Sequence, residues 1–145
     1  MMQISNVLLG FGMGLLGTAV MLLPEIFAWH KWGIRGVLEW HECQKMVDRP
    51  HHSQSLKAAL VLHFVNGGLI GIPFLFLVSF VTFLPKPILG FAYGVVVWLL
   101  TLAPVHRLIT GIPLLRHPQG WQPIVVSLLG HVAFGLTLSL FAYVI

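Results

Sequence analysis

Long apolar runs alternate with short polar connections along this chain. A helix that crosses a bilayer needs about 20 mostly apolar residues. Four stretches reach that length, at about 6–29, 56–84, 88–109 and 123–145. None shows the strict apolar–polar alternation of a barrel strand of roughly 10 residues. Lipid offers no partner to a backbone N–H or C=O, so runs of this kind are expected to be helices. The first run has no Lys or Arg before it and no small-x-small site after it, and it ends in Leu22-Leu23-Pro24-Glu25. It is therefore expected to be a retained span and not a signal peptide. Pro123 suits the first turn of the fourth helix, and Pro73 is expected to kink the second. Leu84-Pro85-Lys86-Pro87 reads as an extended turn that sets the second and third helices antiparallel. The predicted fold class is all-α: an integral membrane four-helix bundle forming one domain over residues 1–145.

Between the first two runs lies a different pattern. At 34–47, Val37, Trp40, Cys43 and Val47 fall on one helical face, while Arg35, Glu39, Glu42 and Arg49 make a polar stripe. Such a helix beside a span is expected to lie in the headgroup plane. Its alternative is a docking helix for a partner. Lys31, Arg35, Lys45 and Arg49 fill the first connection, with Lys57 at its edge, and Arg107 and Arg116 lie in the third. The second connection holds Lys86 alone. The positive-inside rule then puts the first and third connections in the cytoplasm and both termini outside. A bacterial or archaeal cytoplasmic membrane is the expected location. Trp29, Trp32, Trp40 and Trp121 cluster on the cytoplasmic side, with Tyr143 near the other interface.

Composition agrees with the pattern. Apolar residues make up 57% of the 145-residue chain and charged residues 8%, against roughly 25% charged in soluble domains. A small soluble particle keeps too much surface in water to hide that apolar content. A water-soluble enzyme, a nucleic-acid binder and a disordered chain are excluded. One cysteine rules out a disulfide framework.

The two halves resemble each other. A shift of 80 residues lays Gly10-Phe11 on Gly90-Phe91, Gly14 on Gly94 and Pro24 on Pro104. A shift of 68 lays His63 on His131 and Gly67 on Gly135. Helices one and three would point one way and two and four the other, as in parallel repeats. Gly10, Gly14 and Gly17 with Thr18 give the first helix a smooth stripe, as do Gly67 and Gly71 on the second and Gly90 and Gly94 on the third. Small-xxx-small spacing lets backbones approach closely where no hydrophobic effect drives association.

Candidate chemistry centres on histidine. Of the eight, six fall at or near the cytoplasmic interface, while His63 and His131 lie inside spans. At 1.5 Å per residue, His63 is roughly 8 Å inside its apolar run. Ionisable residues within spans usually face the bundle interior and mark function. Ala59, His63, Gly67 and Gly71 share one face, and Ser127, His131, Gly135 and Ser139 share another. Small residues beside a histidine leave a flat crevice, a shape a porphyrin needs, and neutral imidazole is a common axial ligand. His63 and His131 are thus candidate iron ligands of one haem b or related tetrapyrrole, flanked by Gly67 and Gly135. Arg107 and Arg35 would pair with its propionates. Two other readings stay open. The histidines tie helices together by hydrogen bonds, or they handle protons with Glu25. No Ser-His-Asp order, phosphate loop or H-E-x-x-H pair is present, so no catalytic site is assigned.

The opening span, Gly10-Phe11-Gly12-Met13-Gly14-Leu15-Leu16-Gly17-Thr18-Ala19-Val20-Met21, resembles the first helix of small YagU-like bacterial membrane proteins, and the fourth span, with His131 and Gly135, is similar to the last helix of some of them. The resemblance implies a four-span membrane protein and no particular activity. The sequence therefore predicts a small membrane subunit of a larger, electron-transferring complex, surrounded by lipid and other membrane subunits, with a purely structural subunit and a proton or ion carrier as alternatives. Orientation is testable through the lone thiol, Cys43. A membrane-impermeant maleimide should label it in lysed cells and not in intact ones; equal labelling rates would invert the topology.

Overall fold

The computed structural model describes residues 4–33, 53–101 and 120–143. These form four helices, α1 (Ile4–Trp32), α2 (Ser53–Phe80), α3 (Lys86–Leu100) and α4 (Gln122–Phe141), with no strand among the described residues. Three helical stretches, Ile4–Trp32, Leu60–Phe80 and Gln122–Phe141, are long and apolar enough to cross a membrane, and α3 is a shorter apolar helix. The predicted interfacial helix at 34–47, with Arg35 and Cys43, and the far end of the third predicted span, with Arg107, lie outside the described residues.

Local chemistry sets the helix ends. Gly33 adopts φ +67° and its N–H donates to Trp29 O at 3.0 Å, a left-handed C-cap that glycine takes without strain. Pro123 occupies the first turn of α4, where a missing N–H costs nothing. The second helix stops at Phe80, four residues before the predicted end of its span, and extended backbone at Pro85, φ −56° and ψ 133°, leads into α3, which already begins at Lys86. Pro24 and Pro73 lie inside α1 and α2, and each helix runs on through its proline as one element.

Packing is organised by glycine. Gly14 of α1 lies against the Gly67 carbonyl of α2, and Gly10 sits where a Cβ would come within 2.8 Å of Ile72 Cα. Gly90 and Gly94 of α3 lie against the Gly135 and His131 carbonyls of α4. These contacts run α1 against α2, and α3 against α4, in opposite directions. A third interface joins α1 to α4, where the Phe134 ring covers Gly17 and Met21 covers Gly130. Helices α2 and α4 therefore run parallel. The second and third helices are consecutive and antiparallel, yet they meet little beyond the Tyr93 Oη to Ile70 O hydrogen bond, 2.5 Å, and the Phe74–Tyr93 ring contact. Neither element turns a glycine stripe toward the other. Lys86 closes that end of the bundle, donating to Ala142 O at 2.5 Å with its ammonium 4.8 Å from the centre of the Tyr143 ring.

The two glycine crossings correspond, but not as the sequence alignment pairs them. Gly135 meets Gly90 and Gly94 as Gly71 meets Gly10 and Gly14. In this register Gly135 takes the place of Gly71, one turn along from the Gly67 that it matches in sequence.

The distribution of side chains is inverted relative to a soluble protein. Met13, Met21, Phe74, Phe134 and Leu138 form the core, together with the buried polar Thr18, Glu25, His63, His131, Thr137 and Ser139. Leu8, Leu16, Leu23, Leu69, Phe91, Leu99, Leu129 and Leu140 point outward. The buried hydroxyls satisfy themselves locally. Thr18 donates to Gly14 O at 2.8 Å, Thr137 to Ala133 O at 2.8 Å and Ser139 to Leu136 O at 2.7 Å, which keeps their faces as smooth as alanine.

Because the atoms facing Gly71 are backbone, they cannot move aside. Gly71→Leu should destabilise the bundle by on the order of 1–3 kcal/mol, read as a lowered unfolding midpoint in mild detergent. Gly12, with nothing within 4 Å of its would-be Cβ, should accept Ala without loss. Equal midpoints for the two variants would refute the packing scheme.

Candidate functional site

Glycine contacts fix the level of the two buried histidines along the bundle. Thr18 abuts Gly67, one turn along α2 from His63. Met21 abuts Gly130, the neighbour of His131 on α4. Thr18 and Met21 are themselves less than one turn apart on α1, so both imidazoles lie at nearly the same level. Both are buried, at 7% exposure each, on parallel helices. Glu25, 6% exposed, lies one turn beyond Met21 on the same α1 face, toward the polar connection.

His131 is held by two partners. Its Nδ1 lies 2.7 Å from Ser127 O. A carbonyl only accepts, so the proton is on Nδ1 and a neutral ring presents a lone pair at Nε2. Nε2 lies 3.3 Å from Thr101 Oγ1. The same hydroxyl lies 2.9 Å from Val97 O. One hydroxyl proton thus faces two acceptors, the Val97 carbonyl and the His131 ring, and rotation about the Thr101 Cβ–Oγ1 bond chooses between them. Trp98 lies one turn before Thr101, and its Nε1 is buried without a hydrogen-bond partner among the described residues.

The donor chemistry and the space at this site point different ways for a tetrapyrrole. A histidine whose Nδ1–H bonds a carbonyl and whose Nε2 is a lone pair is the form that ligates a metal. The crevices beside the two histidines, however, are filled. Where Gly67 lacks a side chain, Thr18 Oγ1 enters, and where Gly135 lacks one, the Gly90 and Gly94 backbone enters. The glycines leave no flat slot for a ring edge, so the residues here do not fit a porphyrin lying along those faces. Arg107 and Arg35 lie outside the described residues. Among the described residues no group of three or more His, Cys, Asp or Glu converges as a metal ion would require.

Sequence reasoning singled out His63, His131 and Glu25 and missed Thr101. The available signal was a hydroxyl within the apolar run at about 88–109. At the end of α1, Lys31 sits 5.5 Å from the centre of the Phe27 ring and 5.7 Å from that of Trp32, an exposed cation–aromatic cluster suited to a headgroup interface. Compared with known protein families, characterised proteins and solved structures, the chain matches none of them significantly.

Thr101→Val keeps the shape and removes the hydroxyl proton. It should cost about 1 kcal/mol, seen as a lowered unfolding midpoint, while Thr101→Ser should cost less. Nitrogen-15 spectra of histidine-labelled protein should show His131 protonated at Nδ1; a ring protonated only at Nε2 would contradict the hydrogen-bond assignment.

Proposed function

We propose that the protein is an integral membrane bundle whose His63–His131 pair, with Glu25, handles protons within the bilayer. The outward leucines and inward polar groups support the membrane reading, because lipid rewards an apolar exterior and leaves polar groups to find partners inside. On that reading α3 is the remaining span, the first and third connections face the cytoplasm and both termini lie outside, following the Lys and Arg asymmetry.

One observation carries the chemistry: two imidazoles from different helices lie buried at nearly one level of the bundle. Imidazole is the side chain that takes and releases protons near neutral pH. Two imidazolium charges in a medium of low dielectric repel strongly, so the pair carries one proton at a time. Each ring can then take up a proton and release it again. At the His131 end Thr101 steadies the protonated ring: its oxygen accepts a hydrogen bond from a protonated Nε2, while its own proton stays on the hydroxyl and is hydrogen-bonded to Val97 O. Glu25 supplies a third titratable group nearer the polar connection. Chains of Glu and His inside a membrane bundle are the usual material of proton relays.

The test is flux. Purified protein in liposomes with a trapped pH dye and an imposed potential should move protons faster than empty liposomes do. His63→Ala and His131→Ala should reduce the rate to that of empty liposomes, and Thr101→Val should slow it. No flux above the empty control would sink the proposal.

A second reading is bis-histidine ligation of haem b in an electron-transfer subunit. It is favoured by the Nδ1–H to Ser127 O bond, which leaves Nε2 of His131 as a lone pair, and opposed by the filled glycine crevices. A visible spectrum decides it: that reading requires a reduced α-band that disappears in His63→Ala and His131→Ala.

A further inference from the structure

Within the apolar stretches described here, Asn66 is exposed although it is polar. It lies six residues into Leu60–Phe80, roughly 9 Å along the helix from its apolar edge. Ser79, also exposed on α2, gives its proton to Leu75 O at 3.2 Å and so satisfies itself. The Asn66 carboxamide has two N–H donors and a carbonyl acceptor, and no hydrogen bond engages it among the described residues. The interior of the bundle does not need it, because α2 turns Gly67, Gly68 and Gly71 toward α1. Facing lipid tails, such a group is costly unless something pairs with it.

We propose that Asn66 marks a homodimer interface in which α2 of one copy packs on α2 of another about a two-fold axis. This rests on the reading that α2 spans the bilayer. The occupant follows from the chemistry of the carboxamide. A two-fold interface brings each residue to the same residue of its partner. Among uncharged side chains, a carboxamide both donates and accepts, so two copies of Asn66 satisfy each other with paired N–H to O=C bonds. A single asparagine in an apolar helix seam is a known way of fixing both partner and register. Leu62 and Leu69 flank it, one turn back and one turn on, and are exposed at 44% and 53%. They supply the apolar contact on either side of the polar pair.

The experiment uses the full chain in its native membranes, with Cys43→Ser removing the natural thiol. Under mild oxidation, Leu62→Cys and Leu69→Cys should each give a disulfide-linked species of twice the chain mass. Val61→Cys, also exposed but on the other side of α2, should not. In liposomes, energy transfer between donor- and acceptor-labelled copies should report a dimer. Asn66→Leu, an apolar change at a lipid-facing position that leaves the fold intact, should weaken it about 3- to 30-fold. Asn66→Gln, which keeps donor and acceptor, should retain most of it. Unaltered association in Asn66→Leu, preferential linkage through Val61→Cys, or linkage only to another protein would overturn the proposal. A monomer that stays in the membrane through alkaline extraction overturns the dimer alone. Release of the chain by that extraction overturns the membrane reading and the dimer with it.

Discussion

Where Gly14 of α1 meets Gly67 of α2, and where Gly90 and Gly94 of α3 meet α4, a carbonyl of one helix occupies the space that a Cβ of the other would take. The bundle is arranged around that closeness. In an apolar solvent, burying a leucine gains little, so helices associate through van der Waals contact and weak polar contact between backbones. Both demand short separations. Threonine and serine take part because each bonds a carbonyl of its own helix and presents only a small surface. With α1 and α2 seated at a fixed register, and α1 seated on α4 through Gly17 and Gly130, the heights of His63 and His131 are set by backbone contacts several residues away. The imidazoles share a level because the glycines meet.

The same packing decides what the interior can hold. A small residue next to a histidine has two uses, as space for a flat ligand or as a seat for a neighbouring helix. Here Thr18 and the α3 backbone take the seats. The polar groups left inside are few and specific: a carboxylate, two imidazoles, and a threonine whose one proton has two destinations. Such a set is ill suited to gripping a large planar group.

Much of the fold was legible in the sequence because the solvent dictates it. Apolar length and proline position act locally, and the helices fall close to where those signals put them, with the Gly33 cap that ends α1 seen only in the structure. Partner choice was less legible. The turn at Pro85 and Pro87 announces that α2 and α3 are neighbours, yet the extensive interfaces join α1 to α2, α3 to α4 and α1 to α4. A glycine stripe shows that a helix is approached closely and is silent on which helix approaches. For that reason the alignment of Gly67 with Gly135 pointed to two equivalent crevices, whereas the crossings set Gly135 in the position of Gly71. His63 and His131 stood out as ionisable residues in apolar runs. Thr101 did not, because its role depends on α3 lying against α4 at one particular height.

The seam between α1 and α4 joins helices that are far apart along the chain. During synthesis α1 is made first, with its Gly17 notch facing a side whose covering helix has not yet been made. Pairing with α2 covers Gly10, Gly14 and Thr18 and leaves Gly17 open. The chain must then be extended from Phe80 to Val126 and Phe134 before the rest is covered. An unfinished chain therefore carries an uncovered notch as a mark on its first helix. Completion of the last helix hides that mark, so the age of the molecule is written in the accessibility of α1.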